Sequence, residues 1–365
     1  MKNIYIHIGT GKTGTTAIQE FLSENTDFLN KNNIQYCKSG RTSGINHLAA
    51  CRNHQRNDKN SIHQLGIKEN LENIYSEINE SNFKNFIISS ENFPGLSNHE
   101  IDELVSYFKD LCSIKVIVYF RRQDEFFESW YSQVVKTSKS PETPQVLLNK
   151  LIKNEILDYQ KIISKWDIEE VEMIVKVYEV SEFEENNVIY DFLNIFNLKD
   201  FSSIELNKEK KSNLSISREQ AFIKKEILKY CHESQTLLFS KPFPIKTDKE
   251  KYILSPIKRE DLLKNYSNSN KYIALKYFGR NQLFKNTYIN YNWKPIILYQ
   301  SDFLIRLLVL VRSNKNYFLL REPLFKYLMD KSYISENNSQ RLYFSFLAHF
   351  LNPNNNNLLL SLKKL

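Results

Sequence analysis

Residues 4–16 read Ile-Tyr-Ile-His-Ile-Gly-Thr-Gly-Lys-Thr-Gly-Thr-Thr, and they constrain the fold more than any other stretch. An apolar run of strand type stops at a loop of small residues holding one lysine. Apolar positions then resume at helical spacing, with Ile18, Phe21 and Leu22 on one face. Gly9, Gly11 and Gly14 let the backbone turn tightly and come close to a ligand. The following helix offers free N–H groups and a positive dipole end. Lys12 adds a point charge, and Thr13, Thr15 and Thr16 add hydroxyl donors. Such a strand–loop–helix unit suits a phosphate or sulfate group. It is not a Walker A loop, Gly-x-x-x-x-Gly-Lys-[Ser/Thr]. Gly11-Lys12-Thr13 supplies the last three residues of that motif, but Ile6 stands where its first glycine belongs.

A second segment points the same way. Residues 114–120, Ile-Lys-Val-Ile-Val-Tyr-Phe, form a β-branched and aromatic run that ends on Arg121 and Arg122. Ser129 follows Arg121 by eight residues, within a helical pattern carrying Phe126, Phe127, Trp130 and Tyr131. An arginine at a strand end and a serine two turns into the next helix can grip one phosphate from two sides. The guanidinium suits this because its planar fork makes two parallel charge-assisted hydrogen bonds. Taken alone, the pair also reads as a surface arginine beside an exposed serine.

Strand patterns at 3–8, 34–37, 85–90, 114–120 and 171–178 alternate with helical ones. Among the latter are Ile67, Leu71, Ile74 and Ile78, and Ile101, Leu104, Val105 and Phe108. This alternation predicts an α/β fold with a mostly parallel central sheet flanked by helices. Ligands of such sheets sit beyond the carboxyl ends of the strands, and Lys12, Glu91 and Arg121 all follow strand ends. From about residue 200 onward the pattern is mostly helical, with Ser217 and Gln220 as a capping box for a helix carrying Phe222, Ile223, Ile227 and Leu228.

With these segments in hand, the chain resembles the sulfotransferases that use 3′-phosphoadenosine 5′-phosphosulfate (PAPS), most closely the bacterial branch that modifies glycans. That family's 5′-phosphosulfate loop reads Pro-Lys-[Ser/Thr]-Gly-Thr-[Thr/Ser]. It is matched by Gly11-Lys12-Thr13-Gly14-Thr15-Thr16, with Gly11 in place of the usual proline. Arg121 and Ser129 match the family's 3′-phosphate motif. Ser89-Ser90-Glu91-Asn92-Phe93, Val177-Tyr178-Glu179 and Asp191-Phe192-Leu193 extend the likeness, and residues 213–217 and 266–270 follow it more loosely. The C-terminal Arg-Lys-Gly element of the cytosolic small-molecule members is missing.

The resemblance implies a P-loop-like three-layer fold. It implies a PAPS-binding catalytic domain over residues 1–290 and a helical extension over 291–365. PAPS is then the donor and adenosine 3′,5′-bisphosphate (PAP) the product, with no metal required. Lys12 faces the leaving phosphate, Gly11, Thr13, Gly14, Thr15 and Thr16 hold the 5′-phosphate, and Arg121 and Ser129 hold the 3′-phosphate. The implied acceptor is a hydroxyl of a cell-surface or capsular glycan, or of its lipid-linked precursor.

Such a transfer needs a group that takes the acceptor's proton. Glu91 is the first candidate, because it follows strand 85–90 where cytosolic members of the family place a catalytic histidine. His47 is the second. Two other classes stay open: a P-loop kinase or NTPase, suggested by Gly11-Lys12-Thr13, and a non-catalytic protein of the same fold that binds nucleotide or glycan. Against the NTPase, strand 114–120 ends in arginine where a magnesium-binding aspartate is expected.

A net charge of +8 over 365 residues is modest, and it is not read as a nucleic-acid signature. Cys37, Cys51, Cys112 and Cys231 lack metal-type spacing and suggest reduced thiols in the cytoplasm. The N-terminal strand has no long apolar stretch and does not read as a signal peptide. The apolar run Phe303–Val311, broken by Arg306, is too short to span a bilayer. It reads first as a core helix. The sharper reading is a helix resting on the inner membrane near a lipid-linked acceptor, with Lys363 and Lys364 adding attraction to anionic lipid.

Overall fold

The computed structural model describes residues 1–41, 45–47, 67–137, 142–198, 200–201, 204, 218–231, 252–289, 291–294, 302–335 and 337–352. Ser217, Cys51, residues 213–217, Lys363 and Lys364 lie outside them. The chain divides into two compact units: Met1–Phe126, Leu151–Asn207 and Leu262–Tyr288 make the first, and Phe127–Lys150, Lys208–Asp261 and Ile289–Leu365 the second.

The first unit is a three-layer α/β structure. Its strands are β1 (Lys2–Ile8), β2 (Ile34–Tyr36), β3 (Asn85–Ser90), β4 (Cys112–Phe120) and β5 (Val171–Val177), in the order β2-β3-β1-β4-β5. All four pairings are parallel. Parallel neighbours cannot be joined by a hairpin, so the chain crosses over through helices between strands. The first eight helices are α1 (Thr15–Glu24), α2 (Thr26–Lys31), α3 (Ile67–Glu80), α4 (Asn98–Phe108), α5 (Gln123–Thr137), α6 (Pro144–Lys153), α7 (Tyr159–Trp166) and α8 (Val188–Asn194).

Side chains alternate across the pleat, and this sorts the two outer layers. Ile4, Ile6 and Ile8 of β1 join Val116, Val118 and Phe120 of β4 on one face, packed with apolar residues of α3, α4 and α7. Tyr5, Ile87, Ile117 and Tyr119 point to the opposite face, against Ile18, Phe21 and Leu22 of α1 and Phe192 and Leu193 of α8. β4 begins two residues earlier than the sequence pattern predicts, because Cys112 pairs with Lys2 and Ser113 with Asn3. A capping box starts α4: the Ser97 hydroxyl accepts from the Glu100 N–H, and the Glu100 carboxylate takes the Ser97 N–H at 2.7 Å.

The second unit has its own apolar core. It is lined by Ile223 and Ile227 from the helix Arg218–Ile227, Leu304, Leu307, Leu308 and Val311 from Asp302–Ser313, Leu324 and Leu328 from Arg321–Ile334, and Leu347 and Leu351 from Asn338–Leu351. The apolar run Phe303–Val311 is therefore an amphipathic helix whose Leu304, Leu307, Leu308 and Val311 face that core. Among the described residues, no helix is long and apolar enough to cross a membrane.

Candidate active site

Parallel register puts the carboxyl ends of all five strands on one edge, with Ile8 beside Ser90 and His7 beside Ile117. The loop leaving β1 turns back at this edge through three left-handed residues, Gly11 (φ 68°), Lys12 (φ 55°) and Gly14 (φ 76°). For Lys12 that conformation costs roughly 1–2 kcal/mol, which the surroundings must offset. Two hydrogen bonds to β4 and its end do so. The Thr10 hydroxyl donates to the Tyr119 carbonyl at 2.7 Å, and the Arg121 guanidinium donates to the Lys12 carbonyl at 3.1 Å.

Close packing explains two of the glycines. A Cβ on Gly9 would lie 2.5 Å from the Thr15 hydroxyl, and one on Gly14 would lie 3.1 Å from the Tyr178 ring and 3.2 Å from Val188. Thr13 and Thr15 are buried with their hydroxyls 3.5 Å apart, while Thr16 is exposed. Among the described residues no side chain caps the N-terminus of α1, and no acidic residue stands in its first turn. The positive end of the helix is thus not offset from within its own first turn.

Lys12, Glu91 and Arg121 gather around this loop. Partial burial lowers the Lys12 pKa, the nearby Glu91 carboxylate pulls it up, and Arg121 lowers it further. Glu91 follows β3 directly. The residue is exposed to solvent, yet the protein behind its carboxyl raises its pKa above the ordinary glutamate value. The Lys12 charge and a hydrogen bond from the Thr15 hydroxyl act in the opposite direction. The arrangement is a cation, a helix N-terminus and a carboxylate of raised basicity on one strand edge.

The two arginines ending β4 have different surroundings. Arg122 is buried, forked onto Asp124 at 2.7 and 2.9 Å, and donates to the carbonyls of Asn286 and Tyr288. Its donors are consumed internally. Arg121 is half-buried, with Glu125 at a looser 3.6 Å and the Tyr178 ring centre 5.5 Å away. Its backbone carbonyl accepts from the Tyr159 hydroxyl. Arg121 is the arginine whose guanidinium stays within reach of a ligand at the loop. Ser129 lies in α5 and belongs to the second unit.

His47 is placed differently. It is fully buried; its Nδ1 accepts from the Ser89 N–H at 3.1 Å, which leaves the proton on Nε2 to donate to the Cys37 carbonyl at 2.9 Å. Burial first, and Arg41 second, lower its pKa to about 3. His7 is also buried and lowered to about 3, with Nδ1 at 2.8 Å from the Ser89 hydroxyl, which also receives the Gln19 amide at 3.0 Å. Both imidazoles brace strand ends from inside.

Sequence reasoning missed Thr10, Tyr159 and the Thr15–Glu91 hydrogen bond. Each works through a partner remote in sequence, 109 residues away for Thr10 and 38 for Tyr159, which no local spacing encodes. Tyr178 entered only through the resemblance, and its contact with Gly14 is a tertiary one.

No protein-family model matches the chain, and no solved structure matches it. Over 109 residues the chain is 37% identical to an "uncharacterized protein" of Archaeoglobus fulgidus, a stretch covering 29% of this chain and 28% of that one. The chain thus spans little more than a quarter of the relative's length.

Proposed function

We propose that the chain is a sulfotransferase, moving a sulfuryl group from PAPS to a hydroxyl of a cell-surface or capsular glycan or its lipid-linked precursor. The observation that carries this reading is the gathering of Lys12, Arg121 and the uncapped α1 N-terminus opposite one carboxylate, Glu91, of raised pKa. The motif resemblance adds the donor and the acceptor class, and the cysteine usage suggests a cytoplasmic setting. On this reading the loop 11–16 binds the 5′-phosphosulfate. Arg121 binds the 3′-phosphate, joined by Ser129 on the resemblance alone.

The acceptor oxygen forms its bond to sulfur as the bond from sulfur to the phosphate oxygen breaks, in line. Glu91 takes the acceptor's proton, and Lys12 neutralises charge growing on the leaving phosphate. Glu91 serves better than His47 here. It reaches solvent and its carboxylate interacts with the Lys12 charge, whereas both ring nitrogens of His47 are held by backbone groups.

Calorimetry with chelator present, and labelled PAPS incubated with an envelope-glycan extract, test the reading together. PAP should bind without Mg²⁺, and label should pass to glycan. Arg121→Ala should weaken PAP by about 30-fold or more while barely changing adenosine 5′-monophosphate, from the loss of a charge-assisted contact. Preference for ATP with Mg²⁺ would make the protein an NTPase. PAP binding without any transfer would make it a binding module.

A further inference from the structure

Residues 291–365 hold ten Lys or Arg against four Asp or Glu, which is +6 of the chain's +8. The acids are unevenly placed. Residues 303–321 contain Arg306, Arg312, Lys315 and Arg321 and no acid, and no acid follows Glu336. Large apolar side chains stand out to solvent in these same stretches. Ile305 and Val309, one helical turn apart, are 42% and 49% exposed, and Leu342 and Phe346, again one turn apart, are 44% and 65% exposed. Phe318 and Leu319 exceed 50% in the short turn that follows the first of these helices.

Two arginines tie the acid-free stretches together. Arg312 donates to the Phe350 carbonyl at 3.0 Å and lies over that ring, and Arg321 donates to the Leu351 carbonyl at 2.6 Å and lies over Phe318. Phe318 and the C-terminal ends of both helices are thereby neighbours. The helix Arg321–Ile334 supplies an internal contrast. Tyr333 and Ile334 are exposed at its C-terminal end, but before them the exposed positions Glu322, Lys326 and Asp330 mix both signs, with Lys326 paired to Glu322 at 2.7 Å. That is an ordinary solvated face.

We infer that the apolar and basic surface of Asp302–Ser313, Lys315–Leu320 and Asn338–Leu351 rests on an anionic lipid bilayer. Apolar side chains enter the boundary between headgroups and acyl chains, while the excess positive charge is drawn by the negative surface potential. Charge complementarity favours lipid over a second copy of the chain: the three segments hold Arg306, Arg312, Lys315 and Arg341 against Asp302 alone, and two copies would bring two such positive surfaces together. The inference stands apart from the proposed reaction, since no residue of the Lys12 loop takes part.

The test is sedimentation of the full chain with phosphatidylcholine vesicles, with and without phosphatidylglycerol. The chain should pellet with the anionic vesicles and be released by high salt. Leu342→Ser combined with Phe346→Ser should weaken binding by about tenfold or more, with an unchanged thermal melt because both side chains are exposed. Lys12→Ala should pellet as the wild type does. Failure to pellet with anionic vesicles, or equal binding by the double variant, overturns the inference. A dimer in light scattering that the double variant abolishes, without vesicle binding, would make this face an interface between copies.

Discussion

The two units put their exceptions in different places. In the first, the departures from ordinary local structure collect at the carboxyl-end edge of the sheet: three loop residues at positive φ between Gly11 and Gly14, a partly desolvated lysine, and a glutamate of raised pKa. In the second, the core of Leu324, Leu328, Leu347 and Leu351 is conventional, and the exceptions are apolar side chains left outside. Exceptions of the first kind suit a small charged ligand approached by backbone and side chains together. Exceptions of the second kind suit a broad surface. Local rules are broken where a protein does something other than fold, and the kind of breakage indicates the kind of partner.

The sharpest way to break this contrast is a pair of single substitutions. Lys12→Ala should lower transfer from PAPS by about 10²–10³-fold and leave the thermal midpoint in place. Leu324→Ala, fully buried in the other core, should cost about 2–5 kcal/mol of stability and leave turnover per folded molecule unchanged. Radiolabel transfer and denaturant melts on both variants decide it. If the lysine variant unfolds, or the leucine variant folds normally and loses turnover, the division of labour is wrong.

A somewhat smaller effect is expected at Glu91. Glu91→Gln should keep PAP affinity and lower transfer by about 10²-fold. Only the carboxylate accepts a proton, so the wild-type rate should fall as pH drops through a pKa above the ordinary glutamate value. The glutamine variant should lack that inflection. A pH–rate profile that keeps it would move the base to another residue.

The smallest effect concerns the buried imidazoles. Folded His7 and His47 stay neutral down to about pH 3, against an ordinary value of 6.5 when unfolded. Below pH 6.5 the unfolded chain binds the extra protons, so stability present above that pH drains away as pH falls toward 3. The loss is on the order of 2 kcal/mol per imidazole between pH 6.5 and 5. Urea melts across this range should show a shallower loss for His47→Gln than for the wild type. An unchanged slope would mean that His47 is open to solvent and to ligand.

Much of the sheet was legible in the chain because its strands are short β-branched runs that end abruptly. Ile4–Ile8 stops at Gly9, and Ile114–Phe120 stops at Arg121. The gathering of Lys12, Glu91 and Arg121 was legible for the same reason, since parallel strands deliver their last residues to one edge. Partners far apart in sequence were not. His47 reads as a candidate base until the backbone of Cys37 and Ser89 is seen to hold both ring nitrogens. Arg121 and Arg122 look alike in sequence, and only Asp124, Asn286 and Tyr288 separate them. The interleaving of 127–150 and 208–261 into the second unit was also out of reach, because hydrophobic periodicity records which face of an element is buried and not what it is buried against.

The central place of β1 has a consequence for synthesis. Both of its neighbours, β3 and β4, come later in the chain, the second of them ending at Phe120. At about 5–20 residues per second, Ile4, Ile6 and Ile8 wait roughly 5–25 s before both neighbouring strands have been made. The segment that leads into the Lys12 loop is therefore the one with the longest unpartnered exposure in the nascent sheet. A chaperone that holds short β-branched segments should meet this protein first at its N-terminal strand.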